Sequence, residues 1–171
     1  MEAPITFIFI DGSRVEMPGE DADVLLTHCG ALRETREDDE VMVPSLTSVR
    51  ITEDVLRRFL GLAKLVGPEK YRPNGGPELT DAVKAEMLKI AADKDDCDFV
   101  IEASNLLDMP VLWTALAAAM AAKVNDVPSG DKKALFNVLV ELGFGAELIA
   151  HKEDDDDQMD EEEEEEEEEE V

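Results

Sequence analysis

Apolar residues recur at helical spacing most strongly between Asp98 and Val124. In the first half of that stretch Val100, Ala103, Ser104 and Leu107 fall at i, i+3, i+4 and i+7, and Phe99 and Leu106 widen the face, which predicts a core-facing helix. Asp108 is placed to cap a second helix, because a carboxylate there accepts a free backbone N–H and Pro110 has no N–H to lose in a first turn. Leu112, Ala115, Leu116, Ala119, Met120 and Val124 continue the spacing, with Ala117, Ala118, Ala121 and Ala122 between them. A helix that is apolar all round has to be covered, by its own domain or by a partner.

Before this stretch the pattern differs. Ile5–Ile10 is a β-branched and aromatic run, Asp11-Gly12 follows, and Val15 and Met17 then alternate with Arg14 and Glu16, which predicts an antiparallel hairpin. After Pro18-Gly19, Asp21 or Asp23 can cap a short helix through Val24, Leu25, His28, Cys29 and Leu32, with Gly30 weakening it. Residues 33–40 read as a charged connection, and Glu40–Val43 as a short strand beside the hairpin that Pro44 ends. A helix is predicted over 51–66, capped by Thr52, with Val55, Leu56, Phe59, Leu60, Leu62 and Ala63 inward and Arg57, Arg58 and Lys64 outward. The Pro- and Gly-rich residues 67–77 predict an exposed loop, and 79–92 a helix of weaker periodicity. A turn at Asn125–Asp131 leads into a helix from Lys132 to Leu142, stopped by Gly143 and Gly145, and a short apolar piece, Ala146–Ala150, comes after it. Strands confined to the first half and helices alone in the second imply an α+β fold.

Composition adds two constraints. With 171 residues and 44% apolar content the chain suits one ordinary domain plus a tail. The net charge is -27, and Glu153–Val171 supplies 16 acidic residues and no basic one, so the remainder still stands at 27 acidic against 16 basic. Such a surface repels phosphate backbones, so nucleic acid is not an expected partner, whereas basic proteins are. Glu161–Glu170 is ten consecutive carboxylates, a run expected to stay disordered and either to solvate the chain or to hold basic partners. The longest uncharged run, Met109–Ala122, has 14 residues, too few to span a bilayer, and an intracellular, soluble protein of the cytoplasm or nucleus is expected.

Candidate chemistry is sparse. Cys29 and Cys97 are isolated, with only His28 and His151 for company, so no disulfide, metal or cofactor site is expected. His28 and Cys29 invite a dyad, but neighbours on a helix point about 100° apart and no oxyanion motif or third group accompanies them. The acidic run at Asp154–Asp157 lacks the glycine turn of a calcium loop. Trp113, the only Trp, reads as a large core anchor before it reads as a partner contact.

Five segments in order carry a resemblance. They are the Asp11-Gly12 hairpin; Val43-Pro44-Ser45-Leu46 with its following helix; Glu86-Met87-Leu88-Lys89-Ile90; Ile101, Ala103, Asn105, Leu107, Asp108 and Leu112; and Pro128 with Phe136-Asn137-Val138. Together they resemble the S-phase kinase-associated protein adaptors of SCF ubiquitin ligases, a BTB/POZ-fold family that includes elongin C. The chain has Leu106 where that family has an aromatic residue and Val83 where it has a Trp, and it lacks the family's C-terminal Trp-Cys helix end. The resemblance implies a BTB/POZ-like domain over 1–124 with an exposed loop at 67–78, a helical extension over 125–150 and an acidic tail over 151–171. It further implies a non-enzymatic adaptor with a cullin-facing site at Asn105 and Leu106. An F-box-facing site would lie at Lys132, Leu135, Phe136, Asn137, Val138 and Leu139. By periodicity alone Leu135, Phe136 and Leu139 are core residues and Asn105 a polar helix end; core and interface coincide if only a partner completes the last helices. The competing expectation is an acidic-tailed chaperone or assembly factor for basic proteins on the same kind of core.

Overall fold

The structure, a computed structural model, describes residues 3–67, 71–72, 76–77 and 79–144. Ala146–Ala150 and the acidic tail lie outside the described residues, as does most of the expected loop. In chain order the elements are β1 (Ile5–Ile8), β2 (Arg14–Met17), α1 (Gly19–His28), α2 (Gly30–Glu34), β3 (Arg36–Glu37) and β4 (Glu40–Met42). They continue with α3 (Glu53–Val66), the short pair β5 (Tyr71–Arg72) and β6 (Gly76–Pro77), α4 (Asp81–Ala91), α5 (Lys94–Leu106), α6 (Pro110–Asn125) and α7 (Lys132–Leu139). A wider helical turn, Val140–Phe144, ends the described chain and is kinked at Gly143, φ 84°.

The first four strands form one sheet in the order β2-β1-β4-β3. β1 and β2 pair antiparallel from Ile5 opposite Met17 to Ile8 opposite Arg14, and the turn closes as Phe9 N–H donates to Ser13 O at 2.9 Å with Gly12 at φ 82°. The strand is shorter than the apolar run: Ile10 lies in the turn, exposed. β4 pairs parallel to β1, Phe7 opposite Val41, and α1 and α2 lie within the crossover that such a pairing requires. The expected charged connection proves to contain β3, antiparallel to β4, because Asp38 accepts φ 52° and lets Asp38-Asp39 make a tight turn.

Two expectations about helix ends are corrected. The single helix through Leu32 is two, since the chain straightens at Cys29 (φ -104°, ψ 100°), and α1 starts at Gly19 after Pro18, ahead of either aspartate. The break lets the backbone of Gly30 and Ala31 donate to Asp108 O and Leu107 O at 3.0 and 3.3 Å. Asp108, in turn, does not cap α6; Met109 stands at that position with no side-chain hydrogen bond. Asp108 ends α5, at φ 52°, with its N–H on Asn105 O at 3.2 Å and that of Met109 on Ser104 O at 2.8 Å, the paired bonds of a left-handed helix terminus. α5 also begins earlier than the apolar spacing suggests, at Lys94, where the Asp93 carboxylate accepts the Asp96 N–H.

One core runs through the molecule. Phe7, Leu25, Leu32, Leu56, Phe59, Met87, Ile90, Leu107, Met109 and Leu112 are essentially inaccessible, so the sheet's inner face, α3, α4 and the α5–α6 hairpin share it. Arg58 on α3 and Asp96 on α5 join by two parallel hydrogen bonds of 2.6 and 2.7 Å.

Candidate functional site

Among the described residues α6 is covered along one side and left open along the other. Leu112, Ala115, Leu116 and Ala119 are buried against α3, α4 and α5. Trp113, Ala117 and Ala121 are exposed, and Met120 and Val124 half-buried, so an apolar stripe stays open along the helix. Trp113 is thus not a core anchor: it remains 44% accessible. The core has no room for it, since the positions at which α6 meets its neighbours hold Leu and Ala.

Between this stripe and α5 runs a groove of about 330 Å³ lined by Ile101, Asn105, Trp113, Leu116, Ala117 and Met120. The three-residue connection after α5 folds α6 back so that Asn105 and Trp113 face each other near the turn. Asn105 is therefore exposed at a concave apolar surface, whereas its neighbour Leu106 turns inward and packs, half-buried, on the core. Among the described residues no charged side chain lines the groove, but Asp98 and Glu102 stand exposed on α5.

The other predicted residues lie on α7. Asp131 caps that helix, its carboxylate accepting the Ala134 N–H at 2.9 Å, yet no residue of α7 is fully buried. Leu135 and Phe136 are 37% and 41% accessible, and Val140 and Phe144 beyond the helix are similarly open. Lys132 and Asn137 are exposed, while Val138 and Leu139 are half-buried and hold the helix to the body. A depression of about 230 Å³ lined by Val124, Val127, Pro128, Lys132 and Leu135, among others, joins the foot of α7 to the α6 stripe.

Asn105 and Leu135 are accordingly brought to the two ends of one apolar face, separated along α6 by roughly the 16 Å that eleven helical residues rise. Of the nine large hydrophobic side chains exposed among the described residues, Ile101 and Trp113 line the groove, Leu135 lines the depression at the foot of α7, and Phe136, Val140 and Phe144 lie on α7 or the turn after it. Ile101, Ala117 and Met120 were not candidates by sequence, and Trp113 stood as a partner contact only after the core anchor it is not. The signal for them was the uniform apolarity of α6, which announces a burial need without saying which side the chain itself meets.

The thiols have the opposite character. Cys29 is inaccessible and its thiol is pushed up to about 12, chiefly by burial and then by the Asp108 charge. Cys97 is raised too, by burial first and then by Asp98 and Asp96. Both environments disfavour the thiolate that nucleophilic chemistry needs. Among the described residues no cluster of His, Cys, Asp and Glu could hold a metal ion, and no helix is long and apolar enough to cross a membrane. Comparison with protein-family models, curated proteins and solved structures returns no match.

Proposed function

We propose that this chain is a non-enzymatic adaptor of a BTB/POZ-like fold, similar to the S-phase kinase-associated proteins, that bridges an F-box substrate receptor and a cullin in ubiquitin ligation inside the cell. The observation that carries the reading is the open apolar face of α7. An exposed pair such as Leu135 and Phe136, on a helix with no buried residue, has its hydrophobic drive unsatisfied among the described residues. The order of elements, a hairpin, the short helices α1 and α2 and the parallel strand β4 ahead of α3–α7, supports the family comparison. On the cullin side, contact would rest on exposed Asn105 more than on Leu106, whose side chain is engaged with the core.

The test is affinity capture with full-length protein beside Leu135→Glu/Phe136→Glu. F-box-containing proteins retained by the native chain and lost with the variant support the adaptor; a cullin in the same fraction makes it a ligase component. A second reading is favoured by the charge: 16 acidic residues in Glu153–Val171 suit an assembly factor that holds basic proteins. In that case retention follows the tail and disappears at high salt, and the α7 variant retains its partners.

A further inference from the structure

We infer that the outer face of the four-stranded sheet is a docking surface for a basic amphipathic helix of another protein. The alternation that buries Ile5, Phe7, Met17 and Val41 turns Thr6, Ile8, Arg14, Glu16, Glu40 and Met42 to the other face. That face stays accessible: Met42 is 51% exposed, and Ile10, which carries the alternation past buried Phe9, is 68% exposed. Ile8 lies directly opposite Met42 in the parallel pairing and two residues before Ile10, so the three make one apolar ridge along β1 and β4. Exposed Leu46 extends its end: the Leu46 N–H donates to Val49 O at 3.0 Å, and Arg50 is joined to Asp11 of the hairpin turn, beside Ile10, at 3.2 Å. Large apolar residues scattered singly over a surface carry no message, but a contiguous ridge on a sheet face is an unmet burial need.

Charge selects the occupant. Glu37 stands directly opposite Glu40 in the β3–β4 pairing, a like-charged pair that costs stability without a cation nearby. Arg14 reaches across β1 to Glu40 at 2.6 Å, and Arg36 turns its guanidinium to Asp38 O at 3.0 Å, which leaves Glu16 and Glu37 without a cation among the described residues. By the strand order Glu16 and Glu37 lie on the two edge strands, three strand spacings or roughly 14 Å apart, with the ridge between them. An α-helix is about 10–12 Å across with its side chains. One laid on the ridge buries an apolar stripe there and extends Lys or Arg from both flanks to the two carboxylates. A second copy of this chain is the poorer occupant, because it brings another net charge of -27 to an acidic face. None of these residues lines the α5–α6 groove or belongs to α7, so the surface goes beyond the adaptor reading.

The probe is a short synthetic peptide of Leu and Lys at amphipathic helical spacing, with a Leu and Glu peptide of the same pattern as control. Amide chemical shifts of the isotope-labelled full chain would be followed by NMR during titration, for the native protein, Ile10→Ser/Met42→Ser and Glu16→Gln/Glu37→Gln, at low and high salt. All four substituted residues are exposed, so both variants should melt with the native chain, which circular dichroism verifies. The Leu-Lys peptide should shift amides over 6–10, 14–17 and 36–46, and its affinity for that face should be about tenfold weaker in Ile10→Ser/Met42→Ser. Salt should weaken binding there, and less so in Glu16→Gln/Glu37→Gln. The Leu-Glu peptide should leave those amides unmoved. Shifts confined to 153–171, which any cationic peptide can engage, or to α6 and α7 overturn the inference. An equal response of the native chain and Ile10→Ser/Met42→Ser at the sheet overturns it too, as do sheet shifts that follow protein concentration without peptide, which assign the face to a second copy. No outcome depends on capturing an F-box protein or a cullin, so this inference and the adaptor reading fail separately.

Discussion

Gly30 and Asp108 are fitted to each other. A Cβ on Gly30 would lie 1.9 Å from Asp108 Oδ2 and 3.2 Å from Asp108 Cβ, so Gly30→Ala forces the carboxylate aside and strains the junction of α2 with the end of α5. Asp108 meanwhile stands at φ 52° in a position where glycine is the unstrained residue. Gly30→Ala should destabilise by about 1–2 kcal/mol, as overpacking does, and Gly30→Ala/Asp108→Gly should recover most of that loss. Urea denaturation of the two single variants and the double variant measures the coupling; additive effects would disprove the contact. Asp96 gives a second residue-scale prediction. Its two hydrogen bonds from Arg58 hold its carboxyl below the ordinary 3.8, so its contribution is present above that value and is lost as pH falls through the lowered folded pKa. Because both partners are about one third accessible, Asp96→Asn should cost only about 1 kcal/mol at neutral pH. The native advantage over the variant should vanish in acid unfolding below the ordinary carboxylate range. Burial at Cys29 predicts that iodoacetamide modifies Cys97 slowly and Cys29 only in denaturant, which peptide mapping of alkylated protein would check.

At the scale of elements, what the sequence showed was what neighbours in sequence decide. Thr52 accepts the Val55 N–H at 3.4 Å and Asp131 the Ala134 N–H at 2.9 Å, and the Asp11-Gly12 hairpin closes as the residue types require. The elements missed or misplaced answer to distant contacts. The α1–α2 break exists because Gly30 meets the end of α5, and β3 forms only because β4 is there to pair with it. Asp108 was misassigned because a residue between two helices can close the first or open the second, and only its φ tells which. The caps make a contrast that tests the site. Thr52→Ala should lower global stability by about 1 kcal/mol, since α3 is packed in the core. Asp131→Ala removes an equivalent bond from a helix with no buried residue, so it should leave the melting temperature almost unchanged while amide exchange over 132–139 speeds up. If both variants lower the melting temperature equally, α7 is integral to the core and its exposed face loses its claim as a docking surface.

For the whole molecule, the α+β architecture followed from the order of periodicities, because burying a period-2 hairpin and several 3.6-period helices in one chain leaves few arrangements. The uncovered side did not follow, since α6 is apolar on every side and only the positions of α3, α4 and α5 determine that Trp113 and Ala117 face out. The candidate site was half legible for the same reason: Leu135, Phe136 and Asn105 could be named, but not the stripe that joins them. Charge sets the remaining question at this scale. The net -27 acts on any basic protein at long range and independently of the groove, so for a basic partner of the proposed adaptor the expected affinity has a salt-sensitive part from Glu153–Val171 and a salt-resistant part from the apolar face. Removing Glu153–Val171 brings the chain to -11 and should slow association with a basic partner while leaving its dissociation rate nearly unchanged. Leu135→Glu/Phe136→Glu should do the reverse, accelerating dissociation with little effect on encounter. Surface plasmon resonance of one captured partner against the three proteins at two salt concentrations separates these contributions. A dissociation rate governed by the acidic run, insensitive to the α7 substitutions, would make the tail the binding element and the apolar face a surface with another use.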